Sequence, residues 1–531
     1  MIDLGASPPV EELARLDALE ASGCCSEAVG RLKLYLRQGF APEPFDAAFH
    51  RLGRLYQKLR WSLMAERAYF CALKSNASRA ATLNNLAVLS LESLDANRAD
   101  CWLSQGLRLA GLRYDELALL LNTGCELRLF QRKPDQAACF ASRQVDCFDS
   151  PRARTNLSVC LRQLGDLKGS LDQQAIALQM ALGATSLDDV ELFSLIGRHR
   201  SGLEETIQCH MMLMNYAICR LSINQLDESA QQLLVAGAGV VSSSWHDPEF
   251  FSRLWRGQKV EELVIWHDQG YGDAIQNLCW MSNVSTRVDR MRLMLRPSLL
   301  RLARQRLTLP ANCTLVEIDT AVSPWRHGSA HLGLWFAPLA LGGWTPDQAC
   351  LGRACLRRMP LSQGRAAKKQ LGVVWSAGRH GAPQPEAAAR HRDVPFQFLL
   401  SSLRSWSQQF DANCISLQLI DEQICDPQIL EVCNSGLLIP GLPDSPDWLD
   451  TAAVVEQLDL VVTIDTAMAH LCGALGVPCV VLLNAPCDWR WGQSGDRTFL
   501  YDSLRLARCP KPGDWSGALK QATQHLIQML C

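Results

Sequence analysis

Six positions recur at a fixed interval in the first half of the chain. Leu52, Gly53, Tyr56, Ala65, Tyr69 and Ala72 return 34 residues later as Leu86, Ala87, Ser90, Ala99, Leu103 and Gly106. A helix-turn-helix unit of that length cannot bury its apolar stripe alone, so copies must stack, and small residues at the facing positions let two antiparallel helices touch. Asn122-Thr123-Gly124 to Ala137, Asn156-Leu157-Ser158 to Ala177 and Asn215-Tyr216-Ala217 to Ala230 read as later copies whose phase drifts. Glu12 to Leu36 reads as a first helix pair, while residues 179–210 fit the period poorly. The expectation is an all-helical array over residues 1–240. The same stripe serves a spacer or a concave groove for a peptide or protein, and both readings stay open.

At 531 residues the chain exceeds what one core can serve, so roughly two to four domains are expected. Its 52 basic and 54 acidic residues leave a formal charge of −2, so no global basic field invites nucleic acid. Met1 to Gly5 hold no charged leader followed by an apolar core, and no apolar run approaches the ~20 residues of a membrane helix. A cytoplasmic protein without a transmembrane segment is therefore expected. The 22 cysteines are scattered through helix-like segments, as at Cys71, Cys101, Cys139 and Cys160. Without a Cys-x-x-Cys they read as reduced thiols, not as a disulfide frame or a zinc site.

Near Ser242-Ser243-Ser244-Trp245 the helical period stops, and a linker over residues 241–257 is expected. Leu263-Val264-Ile265-Trp266 then announces a strand that runs into Gly270-Tyr271-Gly272-Asp273 and a helix from about Ala274, with the glycines supplying a tight turn. The third glycine of a dinucleotide fingerprint is missing, and Asp289 precedes the next strand instead of ending it, so a nicotinamide site is rejected. Leu371 to Trp375 is another buried strand, ending in Ser376-Ala377-Gly378-Arg379. Leu460 to Ile464 and Cys479 to Leu483 are apolar runs of parallel-strand length with a small-residue helix between them, a β-α-β unit. Its turn holds Asp465, Thr466 and Ala467. Thr466 can cap the helix, whose free first-turn N–H groups favour a phosphate by roughly 0.3–1 kcal/mol. Asp465 beside phosphates needs a sugar hydroxyl as its partner. Two such domains are expected, over residues 258–365 and 366–531.

Gly270 to Asp273, Val374-Trp375-Ser376-Ala377-Gly378, Asp465 to His470 and Asp488-Trp489-Arg490-Trp491 stand together in one order. In this the chain resembles the glycosyltransferases related to the ADP-heptose:lipopolysaccharide heptosyltransferases, in the subgroup fused behind tetratricopeptide repeats, whose period is also 34 residues. The resemblance covers roughly residues 245–531. It implies an α + α/β chain: a tetratricopeptide solenoid followed by two facing Rossmann-like domains in the GT-B arrangement. It further implies inverting transfer of a sugar from a nucleotide-sugar donor to a hydroxyl acceptor, with no cofactor beyond the donor. No Asp-x-Asp ends a strand in this half, so no metal is expected to be required. Repeats joined to such a fold also occur in the O-linked N-acetylglucosamine transferases, with which the likeness is one of architecture. Three departures stand out: Asp268 where the family commonly has Glu, Tyr271 where it has a smaller apolar residue, and Arg392-Asp393 where it has Arg-Ser.

Under this resemblance Asp273 matches the general base; read from its place alone, it can equally cap its helix. By their own chemistry Ser376 can donate to a phosphate and Arg379 can neutralise the leaving diphosphate, while Gln418 matches a position near the base or ribose and Asp465, Thr466 and Ala467 form the phosphate turn. His470 is either a donor contact or a packed core residue. Gly270, Gly272 and Gln276 belong to the acceptor side or its turn. The loop over residues 381–392 is expected as a flap; Arg390, His391 and Arg392 at its end read as solvated charge or, for Arg392, as a phosphate contact that the Arg392-Asp393 departure puts in question. Trp489 and Trp491 alternate about Arg490, one toward the cleft and one toward the core. The last helix, Trp515 to Leu530, is expected to cross back and couple the domains. The acceptor is expected to be a protein or extended saccharide presented by the repeats. The competing class is a repeat scaffold whose transferase half has lost turnover.

Overall fold

The computed structural model describes residues 9–37, 43–77, 79–183, 187, 188, 192, 203–224, 226–236, 250, 252–319, 323–344, 354–359, 367–377, 392–418 and 427–530. The chain divides into two compact units, Met1–Cys160 and Leu161–Cys531.

The first unit is built from α1 (Pro9–Ala21), α2 (Cys25–Arg37), α3 (Phe45–Lys58), α4 (Ser62–Ser75), α5 (Ala80–Glu92), α6 (Ala96–Leu107), α7 (Tyr114–Phe130), α8 (Pro134–Cys147) and the start of α9 (Pro151–Leu164). Successive helices from α1 to α8 pack on one another, as the 34-residue recurrence requires. The small residues lie where helices approach closely. A Cβ on Gly53 would fall 2.3 Å from the Tyr69 ring, and one on Gly124 would fall 2.4 Å from the Phe140 ring. Polar groups inside the stack bond from copy to copy. Asn156 Nδ2 donates to Asn122 Oδ1 at 2.8 Å across 34 residues, and Thr123 Oγ1 donates to Asn84 Oδ1 at 2.7 Å. Gly53→Ala should therefore overpack the α3/α4 contact by about 1–3 kcal/mol. Hydrogen exchange of the peptides spanning Phe45–Ser75 reads this as faster opening, and unchanged protection would remove the steric account of the repeat.

The second unit starts with α10 (Leu167–Leu182), α11 (Leu203–Ile223) and α12 (Glu228–Ala236). These helices were expected to close the repeat array at residue 240, yet they share a core with the sheets. Ala230, Leu233 and Leu234 are fully buried in the cluster that also holds Leu254, Trp255 and Ile265. Most of the expected linker lies outside the described residues. Its end does not behave as a linker, because Trp255 N–H donates to His331 O and His331 N–H to Arg253 O, extending a sheet edge.

Two parallel sheets follow. The first consists of β1 (Val260–Trp266), β2 (Val288–Leu295), β3 (Cys313–Glu317) and β4 (Ala330–Gly333), in spatial order β3-β2-β1-β4. It carries α13 (Tyr271–Asn277), α14 (Met281–Ser285), α15 (Pro297–Arg306) and α16 (Ala337–Ala340). The second consists of β5 (Lys369–Val373), β6 (Ala412–Ser416), β7 (Leu438–Pro440), β8 (Leu460–Ile464), β9 (Cys479–Leu483) and β10 (Leu504–Arg508), in order β10-β9-β8-β5-β6-β7. Its helices are α17 (Phe396–Gln409), α18 (Pro427–Asn434), α19 (Trp448–Val455), α20 (Ala467–Leu475) and α21 (Trp515–Leu530). β8 and β9 are buried at every residue, which is why they read as apolar runs, interrupted only by Thr463.

Two expectations are corrected here. The first helix after β1 begins at Tyr271, not Ala274, so Asp273 sits inside its first turn. The final helix packs on β9, β10 and α17 of its own sheet instead of crossing back, with Trp515, Ala518, Leu519 and Leu526 buried in that sheet's core. The two sheets are joined elsewhere. Arg306 at the end of α15 forms a two-pronged pair with Glu456 after α19, at 2.9 and 3.2 Å, and both side chains are buried. Among the described residues no cysteine is in a disulfide. Among the described residues no helix is long and apolar enough to cross a membrane.

Candidate active site

In a parallel sheet with helices on both faces, ligands settle outside the carboxyl ends of the strands where the order reverses. In the second sheet that point lies between β5 and β8, followed by Val374 to Ala377 and by Asp465-Thr466. In the first it lies between β1 and β4, followed by His267 to Asp273 and by Leu334-Trp335. Asp268 spans the latter, accepting the Trp335 N–H at 3.1 Å. A Cβ on Gly333 would fall 2.1 Å from Asp268 Oδ2, so only glycine admits this carboxyl. Burial pushes the Asp268 carboxyl up to about 7, against the pull of the Trp335 N–H.

The two reversal points meet each other. Gly272 rests on the start of α20: a Cβ there would fall 3.0 Å from His470 Cδ2 and 3.1 Å from Ala467 Cα. One residue on, Asp273 Oδ1 accepts from Arg490 Nη1 at 2.5 Å, and Gln276 Oε1 accepts from the same nitrogen at 3.1 Å. Arg490 comes from a single-turn 3-10 helix, Trp489–Trp491, which Asp488 caps by accepting the Arg490 N–H at 3.0 Å. Asp488 Oδ1 also accepts from Arg490 Nε at 2.9 Å. Burial works against this guanidinium's charge, yet Asp488 and Asp273 hold it well above its ordinary range. Burial likewise opposes the Asp488 carboxylate, and Arg490 prevails and lowers it. One arginine thus ties the proposed base of the first domain to the last motif of the second.

Around this pair the expected site residues sort as follows. His470 has Nδ1 3.2 Å from the Tyr501 hydroxyl and its ring stacked 5.3 Å from Trp491. Burial, helped by Arg490, lowers its pKa to about 3, so the imidazole is neutral. Thr466 is the N-cap residue of α20, but its hydroxyl makes no cap bond; it turns back to Thr463 Oγ1 at 3.2 Å and Ile464 O at 3.4 Å. Gln418 was expected near a base or ribose. Its Oε1 accepts both the Trp375 and Ser376 N–H groups, at 2.9 and 2.6 Å, pinning the loop after β5. Asp465 is buried, which raises its pKa, with Arg392 opposing. Arg392, expected as solvated charge, donates to Asp465 O at 3.0 Å. Trp489 and Trp491 are both buried, not one in and one out. Arg379, Gly378 and the loop residues 381–391 lie outside the described residues. Arg490 was missed as an interdomain residue, although its place between two tryptophans in the last motif was a usable signal.

The buried histidines give the second unit an acid sensitivity. His267 and His331 are lowered to about 4 and His470 to about 3, in each case first by burial. A depressed histidine binds its proton in the unfolded chain before the folded one. Its stabilisation is therefore present above pH ~6.5 and is lost as pH falls toward the folded value. Asp268, raised to about 7, has the opposite sign between pH ~3.8 and 7. Linkage gives each histidine about 2 kcal/mol between pH 7 and 5, and the raised Asp268 and Asp465 carboxyls return part of it, so the three histidines leave a net loss. Urea midpoints of the second unit at pH 7 and pH 5 measure it, and an equal or higher midpoint at pH 5 would contradict the burial of these rings.

Fold and site together define a class: helical repeats joined to two Rossmann-like domains whose carboxyl edges face one another. No protein-family model matches the chain, and no curated protein matches it in sequence. Among solved structures it is similar to a mutant of the Thermobaculum terrenum O-GlcNAc transferase, 12% identical, with 92% of this chain and 93% of that chain covered and a TM-score of 0.33. It is also similar to the glycosyl transferase family 9 from Veillonella parvula, 10% identical, covering 52% and 98% with a TM-score of 0.33. A third similar structure is the E. coli heptosyltransferase WaaC with ADP, 12% identical, covering 51% and 99% with a TM-score of 0.30.

Proposed function

We propose that this protein is an inverting glycosyltransferase that moves a sugar from a nucleotide sugar to a hydroxyl acceptor. The observation that supports it best is the meeting of two strand-order reversals, with Asp273 and Arg490 side by side between them. Asp273 takes the acceptor's hydroxyl proton as the oxygen attacks the anomeric carbon, and the bond from that carbon to the diphosphate oxygen breaks with its electron pair leaving on the diphosphate. The Ser376 and Thr466 hydroxyls, the first turn of α20 and the cations Arg379 and Arg392 stabilise that leaving charge, without a required metal or cofactor. Neutral His470 acts as a hydrogen-bonding group and not as the titrating acid. The repeats present a protein or extended saccharide acceptor, in the cytoplasm.

A screen of the purified chain for release of nucleoside diphosphate from ADP-, UDP- and GDP-sugars and of CMP from CMP-sugars, with mass spectrometry of candidate acceptors, tests this reading. One donor class should be consumed, and EDTA should leave the rate largely intact. Binding without turnover would favour the scaffold reading. Loss of activity on chelation with recovery on Mg²⁺ or Mn²⁺ would overturn the metal-free mechanism.

A further inference from the structure

We infer that Trp344 is a positioning residue for Arg490, and that α11 and α12, the helices read in sequence as the last repeat, are the strut that holds both. This rests on the transferase reading above and adds what keeps the arginine beside Asp273.

The turn that carries Arg490 cannot fix its own place. It is a single 3-10 turn closed by two backbone bonds, Trp491 N–H to Asp488 O at 3.1 Å and Gly492 N–H to Trp489 O at 3.0 Å. A helix that short takes its position from packing. Asp488 begins the same turn and moves with it, so its bonds to Arg490 orient the guanidinium without anchoring the turn. The anchors are the two flanking rings. Trp491 stacks on His470 of α20 at 5.3 Å between centroids, which ties the turn to its own domain. Trp489 meets Trp344 edge to face at 5.2 Å, which ties it to the segment that follows α16.

Trp344 is held from the helical side. Gln231 of α12, with no exposed surface, accepts the Trp344 N–H through Oε1 at 3.2 Å. Its neighbour Gln232 donates through Nε2 to Leu339 O at 3.1 Å, fastening the same segment. A Cβ on Gly343 would fall 2.3 Å from the Trp280 ring, so the chain enters Trp344 along one tight path. α11 also packs directly on the Trp489–Trp491 turn, and its Met212 and Leu213 share a core with both tryptophans. Across the junction Arg490 Nη1 reaches Asp273 at 2.5 Å and Gln276 at 3.1 Å, contacts that a small shift of the turn would break.

The test uses the full chain and the nucleotide sugar consumed in the screen, with water as the acceptor. Trp344→Leu keeps the site apolar but removes the ring. It should lower kcat for sugar release by about 10–100-fold, as a misplacement of about 1 Å does, with nucleoside diphosphate affinity within about twofold of wild type. Trp344→Phe should recover most of the rate, and Gln231→Leu should lower kcat by a smaller factor. In an Arg490→Gln background Trp344→Leu should cost nothing further, because the group it positions is gone. Should circular dichroism show Trp344→Leu unfolded, Gln231→Leu takes its place in the same cycle. A wild-type rate in folded Trp344→Leu or in Arg490→Gln would overturn the positioning role. So would an equal further loss in the Arg490→Gln background, which would make the tryptophan's effect independent of the arginine. If the wild-type chain consumes no nucleotide sugar, the transferase reading itself fails, a result separate from these.

Discussion

Asp273→Asn should lower sugar transfer by about 10²–10⁴-fold, the range that loss of a positioned general base produces. The substitution keeps the side chain's shape and one acceptor oxygen, so Arg490 retains a partner at Asn and its two contacts to Asp488. The charge and the proton-accepting oxygen are what disappear. Folding and nucleoside diphosphate affinity should therefore stay close to wild type while kcat collapses. Paired measurements of kcat and of nucleotide binding by calorimetry decide it, and turnover near the wild-type rate in the variant would remove Asp273 from the chemistry.

Glu456→Ala should destabilise the second unit by about 3–5 kcal/mol, the cost of stranding one member of a buried ion pair. Arg306 and Glu456 are 6% and 5% exposed, too deep for water to replace a missing partner. Their surroundings enlarge the loss. Arg306 Nη1 also donates to Arg357 O at 3.0 Å, Glu456 Oε1 also accepts the Met359 N–H at 3.0 Å, and Arg358 Nη2 reaches Glu456 O at 3.2 Å. The pair thus fastens the end of α15, the strand-linking segment and the end of α19 at one point. Replacing both members by apolar residues, Arg306→Met with Glu456→Leu, should recover much of the loss, because the desolvation cost of the charges goes with them. Urea unfolding of the two singles and the double measures the coupling. A single-variant loss under about 1 kcal/mol would show the pair to be incidental.

Much of the architecture was legible in the sequence because it follows from local chemistry. The 34-residue recurrence reports side chains that touch within one hairpin, as Gly53 does the Tyr69 ring, and such contacts leave a periodic trace. The apolar runs of β8 and β9 are legible because both faces of a parallel sheet are buried. What escaped depends on partners distant in the chain. Arg490 meets Asp273 across 217 residues, and although the two flanking tryptophans mark Arg490 as part of a motif, they do not name its distant partner. α12 has a clear helical pattern, but periodicity does not say which core its apolar face joins, and Leu233 and Leu234 join that of the sheets. Trp489 and Trp491 suggested a strand-like alternation, whereas the backbone there is a single 3-10 turn that brings both rings inward. Gln418 carries an amide suited to a ligand, and its oxygen is consumed by two backbone N–H groups of the neighbouring strand's loop.

The claim at the centre of this account is that the donor binds where the two sheets' carboxyl edges meet. Hydrogen exchange of the full chain, with and without the nucleoside phosphate released from the consumed donor, tests it most directly. The account predicts slower exchange in three stretches together, Gly270 to Gln276, Val374 to Ala377 and Asp465 to His470, with Arg490 to Gly492 following. Protection confined to the helical repeats, or none at saturating nucleotide, would contradict it.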